Sequence, residues 1–283
     1  MTRVAYVISA YKRPSQLVRL VRRLAMPGTT FVIHVDRKTQ RPLYDEMVAG
    51  TEGLGVTFVR RHVSHWGGWG HVRATLKGIN QLYRDGSRFD YAVLLTGQDY
   101  PIRSPQAIAA SLGGSNGRSF MNWWRLPHRP WGERGGLERI QDWHVATYGR
   151  RHLSLPLRRA LPNGMSPYGG GAYWCFARPI VDYVHEFTSS NPDYVRFFRH
   201  VFIPDELFFQ TLIMNSPLRD TVVNDNLRYI DWSREPRPAV LTVDDLEAML
   251  DSGKLFARKF DVSVDAAVLD RLDQVADEFA SRH

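Results

Sequence analysis

Hydrophobic runs at the start of the chain predict a strand, a helix and a second strand. Residues 4–9 and 30–35 are each continuously apolar, which is typical of strands buried on both faces of a sheet. Between them, leucines and valines recur at helical spacing from Pro14 until Pro27 ends the pattern. This order is the opening of a doubly wound nucleotide-binding sheet, in which ligands bind beyond the carboxyl ends of the strands.

The polar residues that follow these two strands are candidate nucleotide contacts. They are Tyr11, Arg13, Asp36 and Arg37. Their side chains would meet at one edge of the sheet, because parallel strands end on the same side. A third strand is predicted at residues 56–60.

A glycine-rich turn, Trp66-Gly67-Gly68, precedes a predicted helix at residues 72–83. Glycine allows the backbone to approach a ligand closely. The turn lacks the Gly-x-Gly-x-x-Gly pattern, so its signal for a phosphate site is weak. Histidines on either side of it lack the carboxylate or cysteine that would complete a zinc site, and no metal is expected there.

Residues 89–96 form the strongest predicted strand, and Asp99 follows it in a turn before Tyr100. Nucleotide-sugar enzymes place a sugar-binding or metal-binding carboxylate at the end of a central strand. Many of them hold the metal with an Asp-x-Asp motif, which this sequence lacks. Asp99 is thus a candidate contact of a donor sugar, and the alternative is an aspartate that stabilises the turn.

Residues 204–215 combine an acidic start with an apolar stripe and are predicted to form one helix. Pro204 suits the first turn, where the helix dipole also favours Asp205 and Glu206. Glu206 would then be a carboxylate on a rigid element beside a loop, a common position for a general base. The alternative is an acidic helix start without a catalytic role.

Residues 119–168 have no clear periodicity and are rich in tryptophan and arginine. Long loops of this kind are usually functional or mobile. Trp123, Trp124 and Glu138 are candidate acceptor contacts, and the segment is predicted to form the acceptor-side wall and a lid. The alternative is a solvated insertion whose aromatic residues cover the edge of the core.

The remaining patterns predict short strands and further helices. Two short strands are expected around the Asn-Asp-Asn turn within residues 221–232. The other predicted elements are strands at 173–177 and 239–242, a helix from Pro179, a helix at 244–250 capped by Thr242, and a last helix at 264–280.

The composition is that of an ordinary globular protein with an excess of basic residues. The chain has 283 residues, of which 43% are hydrophobic and 23% charged, so a sizeable core is expected. The net charge of +8 suggests a phosphate-bearing ligand, such as a nucleotide-sugar diphosphate. No nucleic-acid-binding module is recognised, so no nucleic-acid partner is expected.

The single cysteine and the start of the chain predict the cellular setting. Cys175 lies in an apolar run and is expected to be a buried thiol, so disulfides do not hold the fold together. The N-terminal apolar run is too short and too soon followed by charge for a signal peptide, and no run approaches the roughly 18 apolar residues of a membrane helix. A cytoplasmic protein is expected, with peripheral contact to a membrane left open.

Five short blocks together resemble one family of glycosyltransferases. They are Trp66-Gly67-Gly68, residues 98–103, Pro204-Asp205-Glu206, Asn226-Leu227-Arg228 and residues 256–260. In this order they are similar to the core-2/I-branching β-1,6-N-acetylglucosaminyltransferases and their relatives, the peptide O-xylosyltransferases. The resemblance covers residues 3–265 and is specific because the blocks occur in the family's order.

The resemblance implies an α/β, GT-A-like fold with a central mixed, mostly parallel sheet flanked by helices. It implies a single catalytic domain over residues 1–283, with a nucleotide-binding half (1–118) and an acceptor-binding, catalytic half (119–283). The implied activity is inverting transfer of a sugar from a UDP-sugar to a hydroxyl of a glycan or another acceptor. No cofactor or divalent metal is implied, which agrees with the missing Asp-x-Asp motif.

The resemblance also implies roles for single residues. Glu206 matches the catalytic base of the branching enzymes, and Lys259 matches a lysine that neutralises the diphosphate. Arg237 is the second expected diphosphate contact, with Arg234 as its rival. Fixed cations of this kind can replace Mg²⁺ at a departing phosphate.

One position separates the two branches of the family. The xylosyltransferases carry an aspartate base where this chain has Ala172, followed by Tyr173, a candidate acceptor contact. The branching enzymes have the same Ala-Tyr pair, which favours N-acetylglucosamine over xylose as the donor sugar. A xylosyltransferase and a non-catalytic glycan- or polyanion-binding protein remain the alternatives.

Overall fold

The apolar runs predicted as strands form the middle of a seven-stranded sheet in the computed structural model, which describes residues 1–146, 152–155 and 157–281. The strands are β1 (Val4–Ala10), β2 (Thr30–Val35), β3 (Val56–Phe58), β4 (Tyr91–Thr96), β5 (Asp99–Pro101), β6 (Ser119–Met121), β7 (Trp124–Arg125), β8 (Trp143–Ala146), β9 (His152–Leu155), β10 (Tyr168–Gly169), β11 (Trp174–Ala177), β12 (Val222–Val223), β13 (Arg228–Ile230) and β14 (Phe256–Arg258).

The main sheet has the order β12-β6-β11-β4-β1-β2-β3. β1 is parallel to both β2 and β4, β2 is parallel to β3, and β12 is parallel to β6. Only β11 runs antiparallel to its neighbours β4 and β6 among the described strands of this sheet. The predicted fold class, a mixed and mostly parallel sheet, is confirmed.

Helices cover both faces of this sheet because alternate strand residues are buried on each side. Tyr6 and Ile8 of β1 belong to one apolar cluster, whereas Ala5 and Val7 belong to the other. The helices are α1 (Pro14–Leu24), α2 (Arg41–Gly50), α3 (Gly70–Arg84), α4 (Pro105–Gly113), α5 (Leu137–Gln141), α6 (Arg178–Ser190), α7 (Pro192–Phe198), α8 (Phe208–Met214), α9 (Leu246–Asp251) and α10 (Ala267–Ser281). In the described part of the chain, no helix has the length and apolar character needed to cross a bilayer.

The local structure differs from the sequence analysis at α2 and at residues 239–242. α2 is not predicted, because its sequence has a weak apolar stripe and buries only Met47. Residues 239–242 are predicted as a strand but do not form one. They are joined to Lys259 by two backbone hydrogen bonds: the Leu241 N–H donates to the Lys259 carbonyl at 2.9 Å, and the Lys259 N–H donates to the Ala239 carbonyl at 3.5 Å. Thr242 does form the predicted cap, with Asp245 completing a capping box.

The two predicted halves of the chain interleave around the sheet. β6, β11 and β12 come from residues 119–283 and extend the sheet that begins with β1. β14, near the end of the chain, pairs antiparallel with β5, which places Arg258 opposite Asp99. Of the loop at 119–168, Tyr148, Arg150 and Arg151 lie outside the described residues.

Candidate active site

The carboxyl ends of three parallel strands meet at one edge of the main sheet. Ser9 of β1 lies opposite His34 of β2 and opposite Thr96 of β4. The N–H of Asp36 donates to the carbonyl of Ala10 over 2.9 Å, which joins the ends of β1 and β2. The residues predicted to contact the nucleotide are therefore brought to a common edge.

The carboxylate of Asp36 is buried and organises the backbone beyond β2. One oxygen accepts from the N–H of Lys38 at 2.8 Å, and the other accepts from the N–H of Ser64 at 3.2 Å. Arg37 is exposed, and its N–H donates to the carbonyl of His62 at 3.0 Å. Direct contact of Asp36 or Arg37 with a nucleotide stays a prediction.

A segment near the end of the chain crosses over the ends of β1 and β4. The N–H of Phe260 donates to the carbonyl of Gln98 at 2.9 Å. The hydroxyl of Tyr11 donates to the side chain of Gln98 at 3.1 Å. Lys259, the predicted diphosphate contact, is thereby placed at the same edge as Tyr11, although 248 residues of sequence separate them.

Asp261 fixes this crossing segment to the loop after β1. It accepts from Lys12 at 2.6 Å and from Arg13 at 2.8 Å. Burial opposes ionisation of Asp261, but hydrogen bonds from Lys12, Ser263 and Arg13 outweigh it and hold the pKa of this carboxyl well below its usual range. Arg13 thus has a structural partner, and its contact with a donor stays a prediction.

Asp99 is fully buried between two arginines. Its Oδ1 lies 3.6 Å from Nε of Arg228 and 3.7 Å from Nε of Arg258, and its Oδ2 accepts from the N–H of Thr96. Both guanidinium groups stack on the ring of Tyr173, at 4.5 and 4.3 Å from its centroid. With 0% of its side chain exposed, Asp99 serves as an anchor for these two arginines, and its contact with a donor sugar stays a prediction.

The predicted continuous helix over residues 204–215 is wrong. The chain forms a short 3-10 turn, Pro204–Glu206, which Leu207 separates from α8 with a φ of −133°. The physical reason is a long-range hydrogen bond: the carbonyl of Glu206 accepts from the N–H of Gly170 at 2.9 Å rather than from the next helical turn. Glu206 is thus presented on a turn that a distant loop holds in place.

The Trp66-Gly67-Gly68 turn supports the Pro204–Glu206 turn through a second hydrogen bond. The carbonyl of Gly67 accepts from the N–H of Ile203 at 2.9 Å. Gly67 has a φ of +69°, and a Cβ there would lie only 2.8 Å from the ring of Phe202, so this position requires glycine. Its observed role is to hold the residues before Pro204, and its contact with a donor stays a prediction.

The carboxylate of Glu206 is partly shielded from water and has one cationic partner. Its Oε2 lies 2.8 Å from Nη1 of Arg139, whose guanidinium stacks 4.0 Å above the ring of Trp131. Burial and the nearby charge of Asp205 raise the pKa of Glu206 to about 7, and Arg139 opposes them. With 30% of its side chain still exposed, Glu206 has the access and the pKa that a general base needs near neutral pH.

Arg139 and Trp131 are site residues that the sequence analysis missed. Arg139 lies 67 positions before Glu206, in α5, within a stretch of sequence that has no clear periodicity. No local pattern distinguishes Arg139 from the other arginines of that stretch, so only the folded chain identifies it as the partner of the base.

Of the predicted acceptor residues, Trp124 packs against the ring on which Arg139 stacks. Trp124 stacks on His128 at 4.6 Å and meets Trp131 edge-on at 5.1 Å. Trp123 is held by a hydrogen bond from its N–H to Asn224, and Glu138 has one buried carboxylate oxygen without a hydrogen-bond partner among the described residues. The rings of Trp124 and Trp131 therefore lie next to Arg139, the partner of Glu206, and contact of these rings with an acceptor stays a prediction.

The two rival arginines for the diphosphate differ in their partners. Arg234 donates to both Asp231 and Asp245. Arg237 is exposed and pairs only with the exposed Glu235, at 3.2 Å, among its contacts in the described residues. Arg237 therefore has fewer acidic partners than Arg234. It also lies close in sequence to Ala239, whose carbonyl accepts from the N–H of Lys259 at 3.5 Å.

Within the described ranges, no group of three His, Cys, Asp or Glu side chains is arranged to hold a metal ion.

The chain belongs to the Core-2/I-branching enzyme family, whose model matches residues 4–250. This is a family of glycosyltransferases, and the resemblance drawn from the five short blocks is confirmed. The site described above contains a carboxylate with a pKa of about 7, at the carboxyl edge of a mostly parallel sheet, and this arrangement fits a glycosyltransferase.

Several similar proteins are xylosyltransferases. Xylosyltransferase 2 of Rattus norvegicus is 26% identical over 298 residues, and that of Homo sapiens is 27% identical over 296 residues. Xylosyltransferase oxt of Drosophila pseudoobscura pseudoobscura is 25% identical over 299 residues. Each match covers 96% of this chain but 33% of the relative, so the chain spans about a third of the length of these curated relatives.

One solved structure shares a weaker likeness. It is a Bacillus anthracis protein, provisionally assigned as a glucose-1-phosphate thymidylyltransferase, in complex with a sucrose. The match has 12% identity and a TM-score of 0.31 and covers 68% of this chain and 83% of that one. At this level of similarity it carries no argument about the site.

Proposed function

We propose that this protein is an inverting, metal-independent glycosyltransferase that moves N-acetylglucosamine from UDP to a hydroxyl of a glycan or another acceptor. The observation that carries the proposal is the Glu206 carboxylate, partly exposed beside Arg139, with a pKa raised to about 7. Membership of the Core-2/I-branching family supports transfer from a UDP-sugar. A cytoplasmic location belongs to the same proposal.

In the proposed reaction, the acceptor hydroxyl attacks C1 of the sugar from the face opposite UDP. The new C1–O bond forms while the bond from C1 to the β-phosphate oxygen breaks, and Glu206 takes the proton of the hydroxyl. This single displacement converts an α-linked donor into a β-linked product. A base with a pKa near 7 is available at neutral pH and basic enough to accept the proton.

The departing UDP carries negative charge that the protein has to stabilise. We assign this role to Lys259 and Arg237. The N–H of Lys259 donates to the carbonyl of Ala239, which follows Arg237 closely in the chain. Fixed cations stabilise a developing charge without a metal when they are held in place before the reaction. Lys259 has this support, because its N–H and carbonyl both bond to the neighbouring loop.

The donor sugar has two candidates. Ala172 stands where the xylosyltransferases have an aspartate base, which supports N-acetylglucosamine and the assignment of Glu206. The names of the similar proteins support xylose as the second candidate, since those described above are xylosyltransferases. The two differ at the sugar's C2 and C5 substituents, so a comparison of donors separates them.

Calorimetric titration of UDP, UDP-N-acetylglucosamine and UDP-xylose, with EDTA present, tests the proposal. Micromolar binding of UDP and tighter binding of UDP-N-acetylglucosamine than of UDP-xylose are expected. Preference for UDP-xylose would move the assignment to the second candidate. Binding that appears only after Mg²⁺ or Mn²⁺ is added would overturn metal independence, and no binding under either condition would overturn the transferase proposal.

A further inference from the structure

A groove lined by cations lies between the outer face of α3 and the segment that follows β3. Its volume is about 610 Å³. One wall is formed by α3 and the other by residues 59–63, and the charged side chains that line it are Arg37, Arg60, Arg61, Arg73, Lys77 and Arg84. None of Glu206, Lys259 or Tyr173 contributes to this lining. The groove is therefore separate from the base and from the proposed diphosphate contacts, and of the predicted nucleotide contacts it includes Arg37.

These six cations have no carboxylate partner within 4 Å among the described residues. The basic face of α1 shows the opposite arrangement: Arg19 pairs with Asp270 and Asp273, and Arg23 pairs with Asp273 and Asp277. The acidic face of α10 thus neutralises Arg19 and Arg23, whereas none of the described acidic side chains forms an ion pair with Arg73, Lys77 or Arg84 of α3. Like charges that gather without a counter-charge create a positive potential that attracts anions.

Lys77 lines the groove, and the positive charges of its neighbours act on its ammonium group. Its ammonium group donates to the carbonyl of Arg60 at 2.8 Å and lies 3.4 Å from Nδ1 of His62. Burial lowers the pKa of Lys77, and the charges of Arg73 and Arg60 lower it further. A bound anion would offset the repulsion among these groups.

The shape of the groove favours a narrow chain as its ligand. From Arg73 to Arg84 the helix rises about 16 Å at roughly 1.5 Å per residue, so the charges are spread along a line. Cations face each other across a concave groove, which a flat bilayer surface cannot enter. No Phe, Trp or Tyr is among the described lining residues, so the stacking platform that single-stranded nucleic acids use is missing from this part of the structure.

Carboxylates near the groove are engaged elsewhere. Asp36 accepts from the backbone N–H groups of Lys38 and Ser64. Asp85, at the end of α3, accepts from the Gln81 side chain at 2.7 Å. Neither neutralises the guanidinium groups of Arg73 or Arg84.

We infer that this basic groove is an anion-binding site for a linear chain with recurring phosphate groups, distinct from the base and from the proposed diphosphate contacts. Guanidinium groups bind phosphate oxygens in paired, charge-assisted hydrogen bonds, and three of the cations lie on one side of α3 at spacings that several phosphates can reach together. The site would hold the enzyme on a phosphate-bearing polymer while the catalytic edge of the sheet stays open.

Calorimetric titration with inorganic phosphate, tripolyphosphate and long-chain polyphosphate tests this inference. Affinity should increase with chain length and fall as salt is added, because longer chains reach more of the cations. In the double variant Arg73→Gln/Arg84→Gln, tripolyphosphate should bind at least about tenfold more weakly. Both side chains are exposed, so the variant is expected to fold.

The matched control is Arg22→Gln/Arg271→Gln, which removes the same charge from two exposed arginines on the opposite face of the sheet. It should bind tripolyphosphate like the wild type. An equal loss in both variants would show a general charge effect and overturn the site. Loss of UDP binding in the groove variant would make the groove part of the donor site and overturn its separation.

Two further probes address other ligands. Vesicles of phosphatidylcholine with phosphatidylglycerol, and a single-stranded oligonucleotide without secondary structure, are titrated in the same buffer. Polyphosphate should bind more tightly than either per phosphate group. If the vesicles or the oligonucleotide bind more tightly than polyphosphate, and the groove variant loses this binding, the assignment of the groove to a linear phosphate chain without nucleobases is overturned.

Discussion

Glu206 and Asp99 are two acidic side chains that lie beside arginines but differ in their access to water. Glu206 keeps 30% of its side chain exposed and pairs with one arginine, whereas Asp99 has no exposed side-chain surface and lies between two. Burial without full compensation raises the pKa of Glu206 to about 7. Two cations and a backbone N–H surround Asp99 and leave it no open side. The surroundings therefore suit Glu206 to proton transfer and Asp99 to holding the structure.

The largest expected effect is loss of transfer in Glu206→Gln. Glutamine keeps the shape of the side chain but cannot accept the hydroxyl proton, so the rate should fall by about 10³-fold. Initial rates with the preferred donor measure this effect, and UDP affinity should stay nearly unchanged. Full activity in this variant would remove Glu206 from the mechanism.

Thermal unfolding of the same variant separates lost chemistry from lost folding. The pKa of Glu206 is about 7 in the folded protein against an ordinary value of 4.5, so the folded state binds more protons between these values and stability falls as pH rises. Neutral glutamine avoids this cost, and Glu206→Gln should be more stable than the wild type at pH 8, by about 1–2 kcal/mol, but not at pH 4. Lower stability at pH 8 would contradict the raised pKa.

Asp99→Asn should reduce stability rather than chemistry. The change leaves the fully buried Arg228 without a carboxylate, and breaking a buried pair of this kind costs about 3–5 kcal/mol. Chemical denaturation measures the free energy of unfolding. Asp90→Asn is the control, because its pair with Arg3 is largely exposed and should contribute no more than about 1 kcal/mol. A stable Asp99→Asn protein with weak donor binding would instead support the predicted contact with the donor sugar.

Arg139→Met should move the pH profile of transfer. Arg139 is the group that lowers the pKa of Glu206, so its removal raises that pKa further above 7 and protonates the base at neutral pH. Activity at pH 7 should fall and recover in part at pH 9, while methionine preserves packing on Trp131. The control is Arg134→Met, since Arg134 pairs with Asp142 instead. An unchanged acidic limb of the profile would exclude Arg139 as the partner of the base.

The smallest expected effect is weaker UDP binding in Lys259→Ala. Loss of one cation at the diphosphate should reduce the affinity by about tenfold, without a change in the pH profile that Glu206 sets. Calorimetry of UDP binding measures it. Lys254→Ala, which removes a lysine paired with Asp225, should bind UDP normally. Equal affinities in the two variants would place the diphosphate elsewhere.

Local patterns in the sequence predicted the elements that bury apolar residues on both sides of the sheet. β1, β2 and β4 were recognisable as continuous apolar runs, and α1 begins at the predicted Pro14 and ends at Leu24, before Pro27. α2 was not recognisable, because a helix that buries little more than Met47 has no clear apolar stripe. Hydrophobic periodicity thus indicates which residues are buried, and it does not predict an element that contributes little to the core.

The motifs predicted where the site lies but not how its side chains are paired. Glu206 was recognisable from its acidic turn and its place among the family's blocks. Its break from α8 and its partner Arg139 were not, because both depend on residues that are distant in sequence. The N–H of Gly170 holds the Glu206 carbonyl, and Arg139 lies 67 positions before Glu206. Asp99 was likewise predicted as a ligand contact, although the arginines that bury it come from β13 and β14.

The sequence by itself determined the family, the buried strands and the identity of the candidate base. The tertiary structure decided which candidate carboxylate stays partly exposed, which arginine lowers its pKa, and which basic residues of α3 have no carboxylate partner among the described residues. Hydrophobic periodicity is a property of neighbouring residues and can be read along the chain. Desolvation and charge pairing depend on groups that come together only when the sheet and its crossing segments have formed.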